Sequence, residues 1–207
     1  PAPPAPTLLE GQAPEGLWDG LATQVKAAGF ELTQVPDAAS IGGTNGLTDY
    51  MAKTVSVRAD MPEAARVKTL AHELAHVLLY GPNNPDAVRH RGVAEVEAES
   101  VALMVGAAHG MDTSGYTVPY VSGWAASVKD TSPVEVVKAT GERVRKTALG
   151  ILDRLDTMKV GDGTPPGLDK AATVDGPRRT ASRKPPAPPV ERERVGAGEP
   201  AAAGRRL

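Results

Sequence analysis

An α+β domain, mainly helical, with a small β-sheet ahead of its central helix and Pro-rich ends, is the fold this sequence predicts. Four long stretches repeat apolar residues at helical spacing. Three short runs before the second of them alternate apolar and polar residues, as strands do. The 22 Gly and 19 Pro gather towards the two ends, which points to flanking segments without a packed core. A chain of 207 residues, 41% hydrophobic and 23% charged, suits one globular domain with tails. The expected division is a Pro/Ala-rich linker over 1–14, a domain over 15–158, and a disordered basic tail over 159–207. Only 3% of the chain is aromatic, so Ala, Val and Leu must build the core.

In order, the first helix is expected from Glu15 to about Gly29, with Leu17, Trp18, Leu21 and Val25 on one side and Gly29 as its stop. Phe30–Val35 alternates and ends at Pro36, a short strand. Gly42, Gly43, Asn45 and Gly46 mark 37–46 as a loop. Leu47–Tyr50 and Thr54–Arg58 then form a hairpin with Val55 and Val57 on one face. The second helix begins with Asp60 as N-cap, Pro62 in the first turn and Glu63 at the capping-box position. Its core stripe is Val67, Leu70, Leu74, Val77 and Leu78, and Tyr80-Gly81-Pro82 ends it. A polar loop over 81–92 leads to a third helix, from Val93 to about His109, stopped by Gly110. A short helix is expected over Pro119–Ser127 and a long one over Val134–Met158.

The second helix carries the chemistry. His72-Glu73-Leu74-Ala75-His76 is an HExxH run. Residues i and i+4 of a helix stand one turn apart on the same side, so His72 and His76 can aim two imidazole nitrogens at one metal ion. Glu73 lies about 100° around the helix, placed to touch a metal-bound water without ligating. Cysteine is absent, which excludes disulfides and thiolate zinc sites and leaves His and carboxylate ligands. A catalytic zinc keeps three protein ligands and one open position.

The third helix offers Glu95, Glu97 and Glu99. On a helical projection Glu95 and Glu99 fall within about 40° of each other, beside Ala102 and Gly106, whose small size allows a close neighbour. Glu97 falls on the opposite side, towards water. One of Glu95 and Glu99 therefore ligates the metal, and the other accepts the remaining N–H of a ligating histidine. Glu95 on the metal is the preferred division, and the reverse stays open. His109 lies 14 residues beyond Glu95 on the same helix, too far to share its metal, and is expected to cap the helix end. His90 falls in the polar loop, read as surface. Among Tyr116, Tyr120 and Trp124, Tyr120 is the candidate for stabilising a developing oxyanion.

With these residues in place, the chain resembles the gluzincins: HExxH, then a Glu ligand, then an acidic or Asn residue four positions later. More narrowly it resembles the ImmA/IrrE metallopeptidases, and closest of all the C-terminal metallopeptidase-like domain of ArdC-type antirestriction proteins. The resemblance rests on Thr69–His76 (TLAHELAH), on Glu95–Glu99 with the following Ser100–Val105, and on Tyr120-Val121-Ser122-Gly123-Trp124. It implies a zincin-like fold over about 15–158 and zinc held by His72, His76 and Glu95. It also implies Glu73 as general base in the hydrolysis of a peptide bond in a cytoplasmic protein. ArdC-like proteins usually carry an N-terminal single-strand DNA-binding domain, which these residues lack.

A rival expectation is an antirestriction or DNA-associated effector whose zinc domain is structural or regulatory and not proteolytic. Any DNA association would come through a domain upstream of Pro1 or through the tail, where 178–206 hold eight Lys and Arg against three Glu. The net charge of −2 gives no global case for nucleic-acid binding. No apolar stretch has the length of a membrane span and no signal-peptide pattern opens the chain, so a cytoplasmic setting is expected.

Overall fold

A computed structural model of the chain describes residues 8–81, 91–113, 115, 117, 121, 125 and 132–163. Among them are four helices, α1 (Leu17–Ala27), α2 (Glu63–Leu79), α3 (Arg91–Ala108) and α4 (Pro133–Leu152). Between α1 and α2 lie three strands, β1 (Glu31–Val35), β2 (Gly46–Asp49) and β3 (Thr54–Arg58), with a 3-10 turn at Ala38–Ile41. The mixed α+β class is therefore the observed one. No helix among the described residues is long and apolar enough to cross a membrane.

Helix α1 buries Leu17, Leu21 and Val25, the expected stripe, although it begins two residues later than the sequence suggests. Gly29, at φ 84°, turns the chain out of the helix into β1, a conformation that favours glycine. The sheet has the order β1-β3-β2. β2 and β3 form the antiparallel hairpin, with Thr48 opposite Val55. β1 runs parallel to β3 on its other side, with Leu32 opposite Val55. Val55 and Val57 are fully buried on the helix-facing side, while β2 remains at an edge.

Helix α2 is the centre of the domain, packed by α1, β2, β3, α3 and α4. Such surroundings bury much more than one stripe: Lys68, Thr69, His72 and Glu73 are inside along with Leu70 and Leu74. Two expectations fail here. Asp60 does not cap the helix; it is drawn into an ion pair with Arg58 at 2.6 Å, and Pro62 occupies the N-cap without a side-chain bond. Leu78, expected in the core, is 39% exposed because the last turn runs past its neighbours.

Helix α3 faces α2 with small residues. Ala94, Ala98 and Ala102 are buried, which lets the two backbones approach closely. α4 covers α3 from another side, and this overturns the expectation for Glu97. It is 1% exposed, accepts a short hydrogen bond from the Tyr80 hydroxyl, and pairs with Arg143 of α4 at 3.2 Å. A carboxylate facing water on an isolated helix faces a neighbour once α4 is in place. α4 itself starts with a Ser132–Glu135 capping box and stops at Leu152, short of the expected Met158. Leu155 still reaches the core from the turn that follows, whereas Val134 and Val137 are exposed.

The ends of the domain extend beyond the expected boundaries. Leu8, Leu9 and Ala13, assigned by composition to a linker, pack against the core, and the Gly11 carbonyl accepts the Ala64 N–H. After α4, Val160 donates its N–H to Ala108 at 2.8 Å. The remaining tail, the short helix expected over Pro119–Ser127 apart from residues 121 and 125, and the 82–90 loop lie outside the described residues.

Candidate metal centre

One turn of α2 presents His72 and His76 with their rings 4.7 Å apart, and α3 brings Glu95 against both. The His72 and His76 Nε2 atoms lie 3.0 Å apart. Glu95 Oε2 stands 3.4 Å from the first and 3.8 Å from the second. The three donors all fall within 4.8 Å of one another and could hold a metal ion. Ligands about 2.0–2.1 Å from a tetrahedral zinc are separated by about 3.3–3.5 Å, and the three observed separations bracket that spacing. Two imidazole lone pairs and a carboxylate converging on one point repel unless a cation or protons lie between them. The donor set therefore fits a metal ion.

Glu99 is fully buried and sits behind His72. Its Oε2 lies 2.9 Å from His72 Nδ1 and 2.6 Å from Lys68 Nζ, while Oε1 accepts the Thr117 hydroxyl at 2.6 Å. A carboxylate only accepts, so the proton between Glu99 and the ring belongs to Nδ1; when the ring gives up its other proton, Nε2 is left with its lone pair facing His76 and Glu95. The alternative open in the sequence is thereby narrowed: Glu95 faces both Nε2 atoms, and Glu99 supports His72 from the other side.

The electrostatics follow from these contacts. Burial alone would depress the His72 imidazole, but hydrogen bonds to Glu95 and Glu99 and their charges outweigh it and raise its pKa to about 9. Burial would likewise raise both carboxylates. Glu99 is instead brought down to about 2 by Lys68 and His72, and Glu95 is held well below the usual carboxylate range by the two histidines. Burial pulls the Lys68 ammonium down, against the opposing pull of Glu99.

Glu73 lies on the sheet side of α2. Its Oε2 accepts the Thr48 hydroxyl of β2 at 2.7 Å, and Gly46 lets β2 come this close. A methyl group on Gly46 would fall 2.5 Å from Glu73 Oε1 and 2.7 Å from Thr69 Cγ2. Tyr50 donates to the His76 carbonyl at 3.0 Å. Its hydroxyl pKa is raised by burial, then by the charges of Glu73 and Glu95, so it stays a donor. His109 takes no part. Its Nδ1 lies 2.7 Å from the Val105 carbonyl and its Nε2 lies 2.7 Å from the Thr157 hydroxyl, the helix-capping role expected of it. Tyr120 and His90 lie outside the described residues.

Sequence reasoning brought His72, Glu73, His76, Glu95 and Glu99 to one place and missed Gly46, Thr48, Tyr50, Lys68 and Thr117. Lys68 had a signal, since it stands four residues before His72 on the same side of α2. Thr48 and Gly46 had none, because only the packing of the hairpin on α2 brings them to Glu73.

Two histidines and an inward carboxylate that could hold a metal ion, with a supporting carboxylate behind them, stand on two facing helices. An uncharacterized protein of Bacillus anthracis is 31% identical over 94 residues, 45% of this chain. The chain covers 15% of that protein's length, so the likeness is to a segment of a much larger molecule. No protein-family model and no solved structure matches the chain.

Proposed function

We propose that this domain is a zinc-dependent metallopeptidase of gluzincin type, with His72, His76 and Glu95 holding the metal and Glu73 as general base. The observation that carries the reading is the convergence of the two Nε2 atoms and Glu95 Oε2, with Glu73 one residue away on the same turn. The HELAH motif and the carboxylates at 95 and 99 support the resemblance to ImmA/IrrE and ArdC-like domains. A bound zinc would supply Lewis acidity and lower the pKa of a water at its open position.

The chain's own groups do the rest. Glu99 and Lys68 fix the His72 ring so that Nε2 faces the site. The Thr48 hydroxyl anchors one oxygen of Glu73. The Glu73 carboxylate takes a proton from the attacking water and delivers it to the departing nitrogen. A peptide suits the setting: β2 is an edge strand touching Glu73 through Thr48, and an extended chain pairing with that edge would run past the base.

The test combines metal analysis with Glu73→Gln. The purified protein is expected to bind one zinc per chain and to cleave a mixture of quenched-fluorescent peptides. Glu73→Gln is expected to keep the zinc and lose the cleavage. A protein that neither contains nor gains zinc refutes the reading. Zinc binding without hydrolysis, with biological activity unaffected by Glu73→Gln, would move the assignment to the non-proteolytic effector expected as the rival.

A further inference from the structure

Lys68 is an unusual resident of the domain interior. It lies on α2, one turn before His72, and is 8% exposed. Its ammonium reaches Glu99 Oε2 at 2.6 Å, the same oxygen that stands 2.9 Å from His72 Nδ1. The other Glu99 oxygen is taken by Thr117. A fully buried carboxylate beside a metal-binding cluster has two ways to satisfy its charge: it can find a fixed cation within the protein, or it can turn towards the metal. Glu95 and Glu99 are one helical turn apart on α3, so both are within reach of such a choice.

We propose that Lys68 is a positioning residue that assigns the two carboxylates their different roles. Its ammonium holds Glu99 away from the metal as the acceptor of the His72 Nδ1–H, and leaves Glu95 as the single acidic ligand. This rests on the metal-site reading above and adds a cause for its ligand set. A single acidic ligand leaves zinc with net positive charge and one open position, the state needed to acidify water. A second carboxylate ligand would close the site and cancel that charge. The lysine also offsets the Glu99 charge inside the domain, where an unpaired carboxylate is costly. With Lys68 removed, Glu99 would lose its fixed cation and the His72 ring its oriented acceptor.

The probe is zinc alone, titrated in competition with a chromophoric chelator, on the full chain and on Lys68→Met, Glu99→Gln and the double variant. Lys68→Met is expected to weaken zinc binding by about 10–100-fold, the range for loss of a ligand-orienting partner. The discriminating readout is the cycle. If Lys68 acts through Glu99, the double variant binds zinc as Glu99→Gln does, within a factor of about two. The visible spectrum of the cobalt-loaded Lys68→Met protein is also expected to shift as Glu99 takes the open position, and that of the double variant is not. Should Lys68→Met fail to fold by circular dichroism, Lys68→Gln, which keeps a donor without the charge, is expected to show the same weakening. Unchanged zinc affinity in the folded lysine variant overturns the proposal, as does simple additivity in the cycle. A wild-type chain that binds no zinc overturns the metal-site reading itself, which separates the two failures.

Discussion

Replacing Gly46 by alanine adds one methyl group at the contact between β2 and Glu73, the proposed general base. That methyl would fall 2.5 Å from Glu73 Oε1, 2.7 Å from Thr69 Cγ2 and 2.9 Å from Glu73 Cγ. Ordinary contact begins near 3.4 Å, so relief requires about 0.9 Å of movement by Glu73 or by the strand. Helix α2 is packed on several sides and cannot yield as a body, so the carboxylate turns away from Thr48 or β2 lifts. Overpacking of this kind costs about 1–3 kcal/mol. At about 2–4 °C per kcal/mol for a domain of this size, the melting temperature should fall by a few degrees or more. Displacing a catalytic group by about 1 Å lowers the rate by about 100-fold. None of the three proposed ligands touches the new methyl, so zinc affinity should be unchanged. The assays are a thermal melt, a zinc titration and kcat/KM on a cleaved peptide. Gly141 provides the opposite sign with the same substitution: it lies within α4 with nothing inside 4 Å of an added methyl. Gly141→Ala should stabilise by about 0.5–1 kcal/mol. A Gly46→Ala protein that melts and cleaves like the wild type would refute the claim that β2 positions Glu73 through this contact.

Three further outcomes follow from the same contacts. The raised His72 pKa means that its protonated form stabilises the metal-free protein fully below about pH 6.5, and that this contribution is lost as pH rises through about 9. Apparent zinc affinity should accordingly climb between those values, since the bound ring must give up a proton; a flat pH profile would contradict it. Arg143→Ala should cost about 3–5 kcal/mol in urea denaturation, because Glu97 is 1% exposed and would keep its charge without its cation. The 54% exposure of Arg143 would otherwise suggest a surface pair worth less than about 1 kcal/mol, and a loss that small would refute the buried-pair account. His109→Ala should destabilise by about 1 kcal/mol through the lost bond to the Val105 carbonyl and leave zinc binding intact; a loss of zinc would place His109 in the site.

Local rules were legible wherever a residue's role depends on its own helix. The one-turn spacing of His72 and His76, the shared side of Glu95 and Glu99, the β2–β3 hairpin and the stop at Gly29 all follow from backbone periodicity and from glycine's left-handed φ. Even His109 reads correctly, because a helix end needs partners for its last carbonyls whatever lies around it.

Tertiary packing decided the rest. Asp60 had the credentials of an N-cap, but Arg58 claimed it, since an ion pair two residues away competes with the helix N–H groups. Glu97 points away from His72 and His76 as expected, yet into α4 instead of water, and no single-helix projection contains that neighbour. The same limit applies at the site. The sequence names His72, Glu73, His76, Glu95 and Glu99 together, because these depend on spacing along one or two helices. That Glu99 pairs with Lys68 while Glu95 faces both histidines depends on how α2 and α3 dock, and the placing of Glu73 depends on a glycine in a strand. Spacing along a helix is written in the chain; distances between elements exist only once they pack.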